Sequence, residues 1–230
     1  MSPDRAAPEV EVLADAESAA RRAAELIAAA GTAIASKGSF SLALSGGHTP
    51  RRMLALLDPD ALAGDAVSIF QVDERVAPDG DPERNLSQLE AELPAAAVER
   101  LHPMPVLDPD LDAAAARYAA ELPASLDLVH LGLGPDGHTA SLVPGDPVLE
   151  VRDRRVAPTA GEYQGRRRMT LTYPALETAR RVLWLVTGSD KRDALAKLLA
   201  GDESIPAGRV VGASTVVICD RLAAPSIEAT

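Results

Sequence analysis

The sequence predicts an α/β fold in which a largely parallel β-sheet carries helices on both faces. Apolar, strand-like runs alternate with amphipathic segments over most of the 230 residues, which is the pattern of βαβ units. No change in composition, internal repeat or low-complexity linker divides the chain, so we expect one domain over residues 1–230. Hydrophobic residues make up 47% of the chain and aromatic residues only 3%, so the core must consist mainly of Ala, Leu and Val.

Five segments have the periodicity or the boundary residues of helices. The first is Ala-rich, places Arg21, Arg22 and Glu25 on one polar side, and is stopped by Lys37-Gly38. The second carries Pro50 in its first turn, where the missing N–H of proline costs nothing. The predicted helices span residues 14–36, 49–57, 83–93, 111–122 and 189–200.

Six apolar runs between these helices have the length and composition of buried strands. We place strands at residues 39–44, 66–72, 126–133, 169–172 and 181–187, with a last strand within residues 210–219. Cys219 is the single cysteine of the chain and ends this last run, which predicts a small buried side chain. One cysteine excludes an intrachain disulfide and fits a reducing, cytoplasmic location.

Charge and hydropathy exclude several classes of function. The formal net charge of −11 argues against a general role in binding nucleic acid or an acidic membrane surface. The N-terminus carries Asp4, Glu9, Glu11 and Asp15 without an apolar run, so we expect no signal peptide. The longest apolar stretch, residues 26–35, is too short to span a bilayer. We also find no Cys/His spacing typical of a metal site.

Four of the predicted strands run directly into polar segments. Ligands of parallel α/β sheets bind outside the carboxyl ends of the strands, and all four segments are expected at that edge. The sequence therefore predicts one site built from these segments: Ser45-Gly46-Gly47-His48-Thr49, Asp73-Glu74-Arg75, Asp136-Gly137-His138-Thr139 and Thr187-Gly188-Ser189-Asp190-Lys191.

The first of these segments has the features of an anion-binding loop. Gly46 and Gly47 allow the backbone to approach an anion, Ser45 and Thr49 offer hydroxyls, and a helix N-terminus follows. The segment has neither the Walker spacing nor the dinucleotide-binding pattern of glycines. An ordinary strand-to-helix turn with a Thr cap explains it about as well, so its role stays open at this point.

Three cations stand beside these segments. Arg75 follows a strand end, Arg168 opens a strand, and Lys191 lies in the first turn of a helix, where a cation is unfavourable unless an anion is near. We interpret Arg75 and Lys191 as ligand contacts. We interpret Arg166 and Arg167 as a solvated basic loop.

His138 is the candidate general base, because it lies in a glycine-flanked loop after a buried strand and two residues from Asp136. A neutral imidazole can take a proton from water, and a nearby carboxylate can fix its tautomer. His48 is a weaker candidate, and His102 and His130 are interpreted as structural. Asp73 and Glu74 either act as acid and base or orient Arg75.

No serine or cysteine lies in a nucleophile-elbow pattern, so hydrolysis would proceed by direct attack of water.

Five ordered segments between about residue 40 and residue 200 resemble the motifs of the 6-phosphogluconolactonase family. The third segment is highly specific, and five matches in order are hard to obtain by chance. The similar segments are Leu44-Ser45-Gly46-Gly47-His48-Thr49-Pro50, Asp73-Glu74-Arg75-Val76 followed by Asn85, residues 132–142 (GLGPDGHTASL), residues 168–172 (RMTLT) and residues 187–191 (TGSDK).

The resemblance implies the three-layer, Rossmann-like sandwich shared with the sugar-phosphate isomerases, and hydrolysis of 6-phospho-D-glucono-1,5-lactone without a metal or an organic cofactor. It implies His138 as the base, oriented by Asp136. It also implies that Arg75, Arg168 and Lys191 contact phosphate or lactone oxygens, with their division of duties open. We expect a sugar-phosphate substrate, no nucleic-acid or membrane partner, and a monomer or weak homodimer.

Two other functions compete with this reading. An amino-sugar-phosphate deaminase/isomerase has a similar fold but places a Glu five residues after the His, where this chain has Val143, which cannot carry a proton. A non-catalytic sugar-phosphate sensor would need an attached DNA-binding segment. The N-terminal helix has no second, recognition-type helix beside it, and the negative net charge of the chain does not suit DNA binding.

His48 is a departure from the family's pattern, because many relatives have a small polar residue at this position.

Overall fold

The computed structural model describes residues 7–35, 38–58 and 60–225. Its strands are β1 (Glu9–Leu13), β2 (Phe40–Leu44), β3 (Val67–Gln71), β4 (Asp73–Arg75), β5 (Leu101–His102), β6 (Leu128–Leu131), β7 (Val156–Pro158), β8 (Arg168–Leu171), β9 (Val182–Val186) and β10 (Thr215–Asp220). Its α-helices are α1 (Ala16–Ala35), α2 (His48–Leu54), α3 (Asn85–Glu92), α4 (Ala95–Val98), α5 (Leu111–Glu121), α6 (Tyr173–Glu177) and α7 (Arg192–Leu199). Short 3₁₀ turns span Pro147–Glu150, Ser189–Lys191 and Pro206–Arg209.

Seven strands form one sheet in the order β1-β10-β9-β6-β2-β3-β5, and every pair in it is parallel. The central strands β2, β6 and β9 are buried along their whole length, which explains why their sequences are apolar apart from Ser41 in β2 and His130 in β6. One hydrophobic core lies between the sheet and α5, α6 and α7, and a second lies between the sheet and α1 to α4. The predicted α/β fold with helices on both faces is confirmed.

The strands β4, β8 and β7 form a second, antiparallel sheet, whereas the sequence analysis expected one largely parallel sheet. The segment Asp73-Glu74-Arg75, expected as a loop, forms β4 and pairs with β8, which was expected among the strands of the larger sheet. The reason is that the chain leaves β3 at Val72, whose backbone links both sheets: its N–H donates to Leu44 O, and its C=O accepts from Leu171 N. Pattern alone does not reveal such a junction, because each strand is only three or four residues long.

Several boundaries also differ from the expectation. The predicted helix 189–200 begins as the 3₁₀ turn Ser189–Lys191 before α7, and α2 begins at His48 rather than Thr49. The edge strand β1 was not anticipated, because acidic residues alternate with its apolar ones. Ser36, the expected end of the first helix, lies outside the described residues. No helix in the described ranges has the length and apolarity needed to cross a bilayer.

The order of the strands creates a crevice between β2 and β6. The chain proceeds from β2 outward through β3 to β5, and then returns to the other side of β2 as β6. Loops leaving β2 and β6 must therefore diverge, which is the usual position of a ligand site in open parallel sheets. The Ser45 hydroxyl donates to His130 O at 3.0 Å and joins the two strands at the base of this crevice.

His130 lies in β6 with no exposed surface, and neither ring nitrogen has a hydrogen-bond partner among the described residues. Burial lowers the pKa of His130 from its ordinary value to about 4. The folded state therefore holds this imidazole neutral, while the unfolded chain takes up a proton as the pH falls below about 6.5.

Stability should consequently fall between about pH 6.5 and pH 4, because the unfolded state binds the extra proton in that window. We expect wild type to lose about 2 kcal/mol of unfolding free energy between pH 7.5 and pH 5 through this one group. His130→Leu should lack this component. Urea unfolding of both proteins at the two pH values measures the difference, and equal losses in the two proteins would contradict the assignment.

Candidate active site

Residues from all four polar segments line one cavity of about 240 Å³ at the carboxyl ends of the strands. The sequence placed these segments at the same edge of the sheet, and the structure brings them together around this single volume. Its lining includes Ser45, Gly46, Gly47, Thr49, Asp73, Arg75, Asn85, Gly134, His138, Ala140, Arg168, Thr187 and Lys191.

The loop after β2 passes against the start of α3. A Cβ atom on Gly46 would lie 2.2 Å from Asn85 Oδ1, so only glycine permits this approach. Gly47 has a φ of 114° and donates its N–H to Gln88 Oε1 at 2.9 Å, so this amide is already engaged within the protein. The loop is therefore held by α3 as well as by its own helix. The side chain of His48 lies outside what the structure describes.

Arg75 and Arg168 stand directly opposite each other in the β4–β8 ladder. Like charges in this position repel each other, and a fold keeps such a pair only if something else stabilises it. Burial lowers the pKa of Arg168, Asp73 counteracts this, and the charge on Arg75 lowers it further. The Nε of each arginine is buried without an acceptor among the described residues. These features are typical of a site for an anion.

Asp73 and Glu74 have different environments. Asp73 lines the cavity and accepts from Ser141 Oγ at 2.6 Å and from Asn85 Nδ2 at 3.0 Å. Glu74 is fully buried outside the cavity lining. It holds the segment in place by accepting five hydrogen bonds, from Gln71 Nε2, Arg75 N, Arg84 Nε, Asn85 N and Leu86 N.

His138 and Asp136 form a hydrogen-bonded pair, with 2.6 Å between His138 Nδ1 and Asp136 Oδ1. Burial alone would raise the pKa of Asp136, but hydrogen bonds from the backbone and ring of His138 lower it overall. The carboxylate is therefore ionised and accepts the Nδ1 proton, which leaves the lone pair on Nε2. A Cβ atom on Gly134 would lie 2.0 Å from His138 Nδ1, so the loop closes only around a glycine.

The segment after β9 supplies the remaining cation. Lys191 lies at the end of the 3₁₀ turn that precedes α7, and its Nζ is 3.1 Å from Asp190 Oδ2. Asp220, buried at the end of β10, accepts from Gly188 N at 3.1 Å and fixes the start of this turn. Thr187 and Thr49 approach within 3.4 Å through their hydroxyl oxygens, which brings this segment against the loop after β2.

Sequence reasoning missed some residues of the site. Tyr163 contacts both His138 and Asp136, yet it lies in none of the recognised segments. Ser141, which binds Asp73, lies within the specific segment 132–142 but was not singled out there. Asp220 had a weak signal, a carboxylate directly at the end of a strand. Arg166, expected in a solvated loop, pairs with Asp81 and Glu83.

A larger groove of about 700 Å³ adjoins the cavity at Thr49 and Thr187. Its arginines are already neutralised, since Arg51 pairs with Glu92 and Arg52 pairs with Glu17. The smaller cavity is therefore the better site for an anion. Within the described ranges, no group of three or more His, Cys, Asp or Glu side chains is arranged to hold a metal ion.

Comparison with known proteins gives a consistent result at the level of sequence. A family model described as glucosamine-6-phosphate isomerases/6-phosphogluconolactonase matches residues 14–218. A 6-phosphogluconolactonase of Nostoc is 38% identical over 206 residues, which cover 83% of this chain and 85% of the relative. One of Streptomyces coelicolor is 36% identical, covering 96% of this chain and 95% of the relative.

Solved structures agree on the fold. The 6-phosphogluconolactonase of Leishmania guyanensis superimposes with a TM-score of 0.85 at 25% identity, over 97% of this chain and all of that one. A monomeric glucosamine-6-phosphate deaminase superimposes nearly as well, with a TM-score of 0.79 at 21% identity, over 94% of this chain and 98% of that one. Fold alone therefore does not separate the two activities.

The opposed arginines generate a prediction about inorganic phosphate. Phosphate should raise the melting temperature of wild type, because a bound anion relieves the repulsion and supplies acceptors. In Arg168→Met the melting temperature without phosphate should be equal or higher, while the response to phosphate is lost. Thermal unfolding over a phosphate titration measures both effects. Arg154→Met, an exposed arginine paired with Asp112, is the control and should respond like wild type. A full phosphate response in Arg168→Met would contradict the prediction.

Proposed function

Because the chain belongs to the 6-phosphogluconolactonase family, within the glucosamine-6-phosphate isomerase/6-phosphogluconolactonase superfamily, we propose that it hydrolyses 6-phospho-D-glucono-1,5-lactone to 6-phospho-D-gluconate. This is the reaction of class 3.1.1.31, the second step of the oxidative pentose phosphate pathway. Relatives at 36–38% identity that bear this enzyme's name support the activity.

One observation carries the proposal beyond family membership. His138, which is hydrogen-bonded to Asp136, lines a cavity of about 240 Å³ together with Arg75, Arg168 and Lys191. A base with a free Nε2 beside three cations suits a substrate that carries a phosphate and develops a second negative charge on its carbonyl oxygen. Because the chain has a net charge of −11, it repels an anion as a whole, and attraction of an anion depends on these three cations.

In the proposed mechanism, His138 Nε2 takes a proton from water as the water oxygen attacks the lactone carbonyl carbon. The resulting oxyanion is stabilised by a neighbouring cation. The tetrahedral intermediate collapses with cleavage of the bond between this carbon and the ring oxygen, and His138 returns its proton to that oxygen. Hydrolysis thus frees one new hydroxyl, at the former ring oxygen, and one carboxylic acid, which ionises. No covalent enzyme intermediate and no cofactor takes part.

We propose that the three cations divide the binding of phosphate and carbonyl oxygen among themselves. Arg75 and Arg168 each have a buried Nε–H without an acceptor, which a substrate oxygen would supply. Lys191 lies across the cavity on the segment after β9 and already has a carboxylate near it. Ser45, Gly46, Gly47, His48 and Thr49 form the proposed phosphate loop, and Asp73 is proposed to orient the substrate or Arg168.

A deaminase/isomerase activity is the nearest alternative, because such an enzyme shares the fold. Val143 is a buried apolar residue at the position where that reaction needs a carboxylate, so ring opening and isomerisation would lack a proton carrier.

We also propose that the protein is cytoplasmic and that it is a monomer or a weak homodimer. One relative, from Oryctolagus cuniculus, is named as an endoplasmic bifunctional protein, so compartment varies among relatives.

We expect His138→Ala to lower kcat by about 10²- to 10⁴-fold, because the general base is lost, with substrate binding largely kept. Lactone opening should be followed directly by NMR with freshly made substrate, since the lactone also opens spontaneously. His102→Ala, at a half-buried histidine that pairs with Glu121 and lies outside the cavity lining, is the control and should retain activity. If wild type does not exceed the spontaneous rate, the proposed substrate is wrong, and glucosamine 6-phosphate is the next compound to test.

Lys191→Ala should mainly raise KM, because the lost charge binds the anionic substrate in both the ground state and the transition state. Initial rates at varied substrate concentration measure this effect. An unchanged KM in Lys191→Ala would contradict the proposed role.

A further inference from the structure

We infer that Tyr163 is a positioning residue that links the hydrogen-bonded pair His138–Asp136 to Arg168. Its hydroxyl orients the Asp136–His138 pair, and its ring supports the guanidinium of Arg168. The inference rests on the proposed function, which gives His138, Asp136 and Arg168 their roles. The contacts of Tyr163, and one of the two tests, do not depend on the substrate.

The hydroxyl of Tyr163 completes the hydrogen bonding of Asp136. It donates to Asp136 Oδ2 at 3.2 Å, while Oδ1 accepts from the backbone N and from Nδ1 of His138 at 3.1 Å and 2.6 Å. Both carboxylate oxygens are thus engaged, which restricts rotation of Asp136 and keeps Oδ1 facing the imidazole. Burial and the charge of Asp136 both raise the pKa of Tyr163, so the phenol remains protonated and acts as a donor.

The ring of Tyr163 touches both halves of the site. It packs edge-on against His138, with ring centroids 5.2 Å apart at an angle of 61°. The guanidinium carbon of Arg168 lies 5.0 Å from the centroid of the same ring, within the range of a cation–π interaction. Arg168 Nη2 also donates to Tyr163 O at 3.3 Å. One side chain therefore links the proton acceptor to a cation of the proposed phosphate site.

A tight hairpin holds Tyr163 in this place. Gln164 and Gly165 have φ angles of 55° and 75°, as the two central residues of a type I′ turn require, and Tyr163 pairs with Arg166 across it. Arg166 is anchored by ion pairs with Asp81 at 3.0 Å and Glu83 at 3.2 Å. Gln164 accepts a left-handed backbone that is unfavourable for a residue with a Cβ atom, and its Oε1 accepts from Arg168 Nη2 at 3.2 Å.

The hydroxyl and the ring have separable kinetic consequences. Tyr163→Phe keeps the ring, so we expect kcat to fall about 3- to 10-fold, as for the loss of one hydrogen bond, with KM within twofold of wild type. Tyr163→Leu also removes the support of Arg168, so KM should rise in addition. Tyr173→Phe is the matched control, because it removes a hydroxyl that binds Pro206 O outside the cavity, and its kcat and KM should match wild type.

The ¹⁵N NMR spectrum of the histidine rings tests the same inference without any substrate. In wild type at pH 9, where an imidazole is neutral, His138 should carry its proton on Nδ1, opposite Asp136. In Tyr163→Phe a fraction should shift to the tautomer protonated on Nε2, since Asp136 is free to rotate. His138→Ala assigns the resonance among the four histidines.

Two results would overturn the inference: an unchanged His138 tautomer in Tyr163→Phe, or kinetic constants in both Tyr163 variants equal to those of the Tyr173→Phe control. A wild-type protein that does not open the lactone would overturn the proposed function instead, and the tautomer comparison would still decide the role of Tyr163.

Discussion

The site depends on one buried carboxylate, Glu74. Hydrogen bonds at 2.7–3.3 Å tie it to the end of β3, to β4 and to the start of α3. Its partner Arg84 is also buried and pairs with Asp79 as well, so both buried charges are compensated within the protein. This arrangement fixes the direction in which the chain leaves the parallel sheet. Arg75 and Asp73 flank Glu74 on β4 and are therefore placed at the cavity, and Asn85 is placed against Gly46.

The same construction explains how an acidic chain can attract an anion. Among the described residues, Asp73 is the one carboxylate that lines the cavity, and carboxylates of the neighbouring groove are paired with arginines. Inside the cavity, Arg75 and Arg168 face each other across two short strands. The repulsion between the two arginines destabilises the protein without a ligand, and a bound ligand with two or more negative charges offsets it.

Membership of the family and the geometry of the site support different parts of the functional argument. The relatives support the activity, while the fold is shared with a deaminase and does not decide between the two reactions. The cavity adds a chemical reason for the proposal, because His138, bonded to Asp136, lines the same volume as Arg75, Arg168 and Lys191. Val143, outside the cavity lining, is a buried apolar residue. Tyr163 extends this arrangement through a hairpin that has its own anchors.

The sequence by itself determined the fold class and the edge of the sheet at which the site lies, because hydrophobic periodicity is local and because parallel strands end at a common edge. It also singled out His138, Asp136 and the cations as candidates, since each lies in a recognisable segment. Only the tertiary structure decided that β4 and β8 form a separate sheet, that Glu74 anchors while Asp73 faces the cavity, and that Tyr163 reaches His138. Some of these contacts join residues that are about 10 to 100 positions apart in the sequence, and others join strands too short to show a hydrophobic pattern. Local sequence preferences therefore do not encode which contacts form.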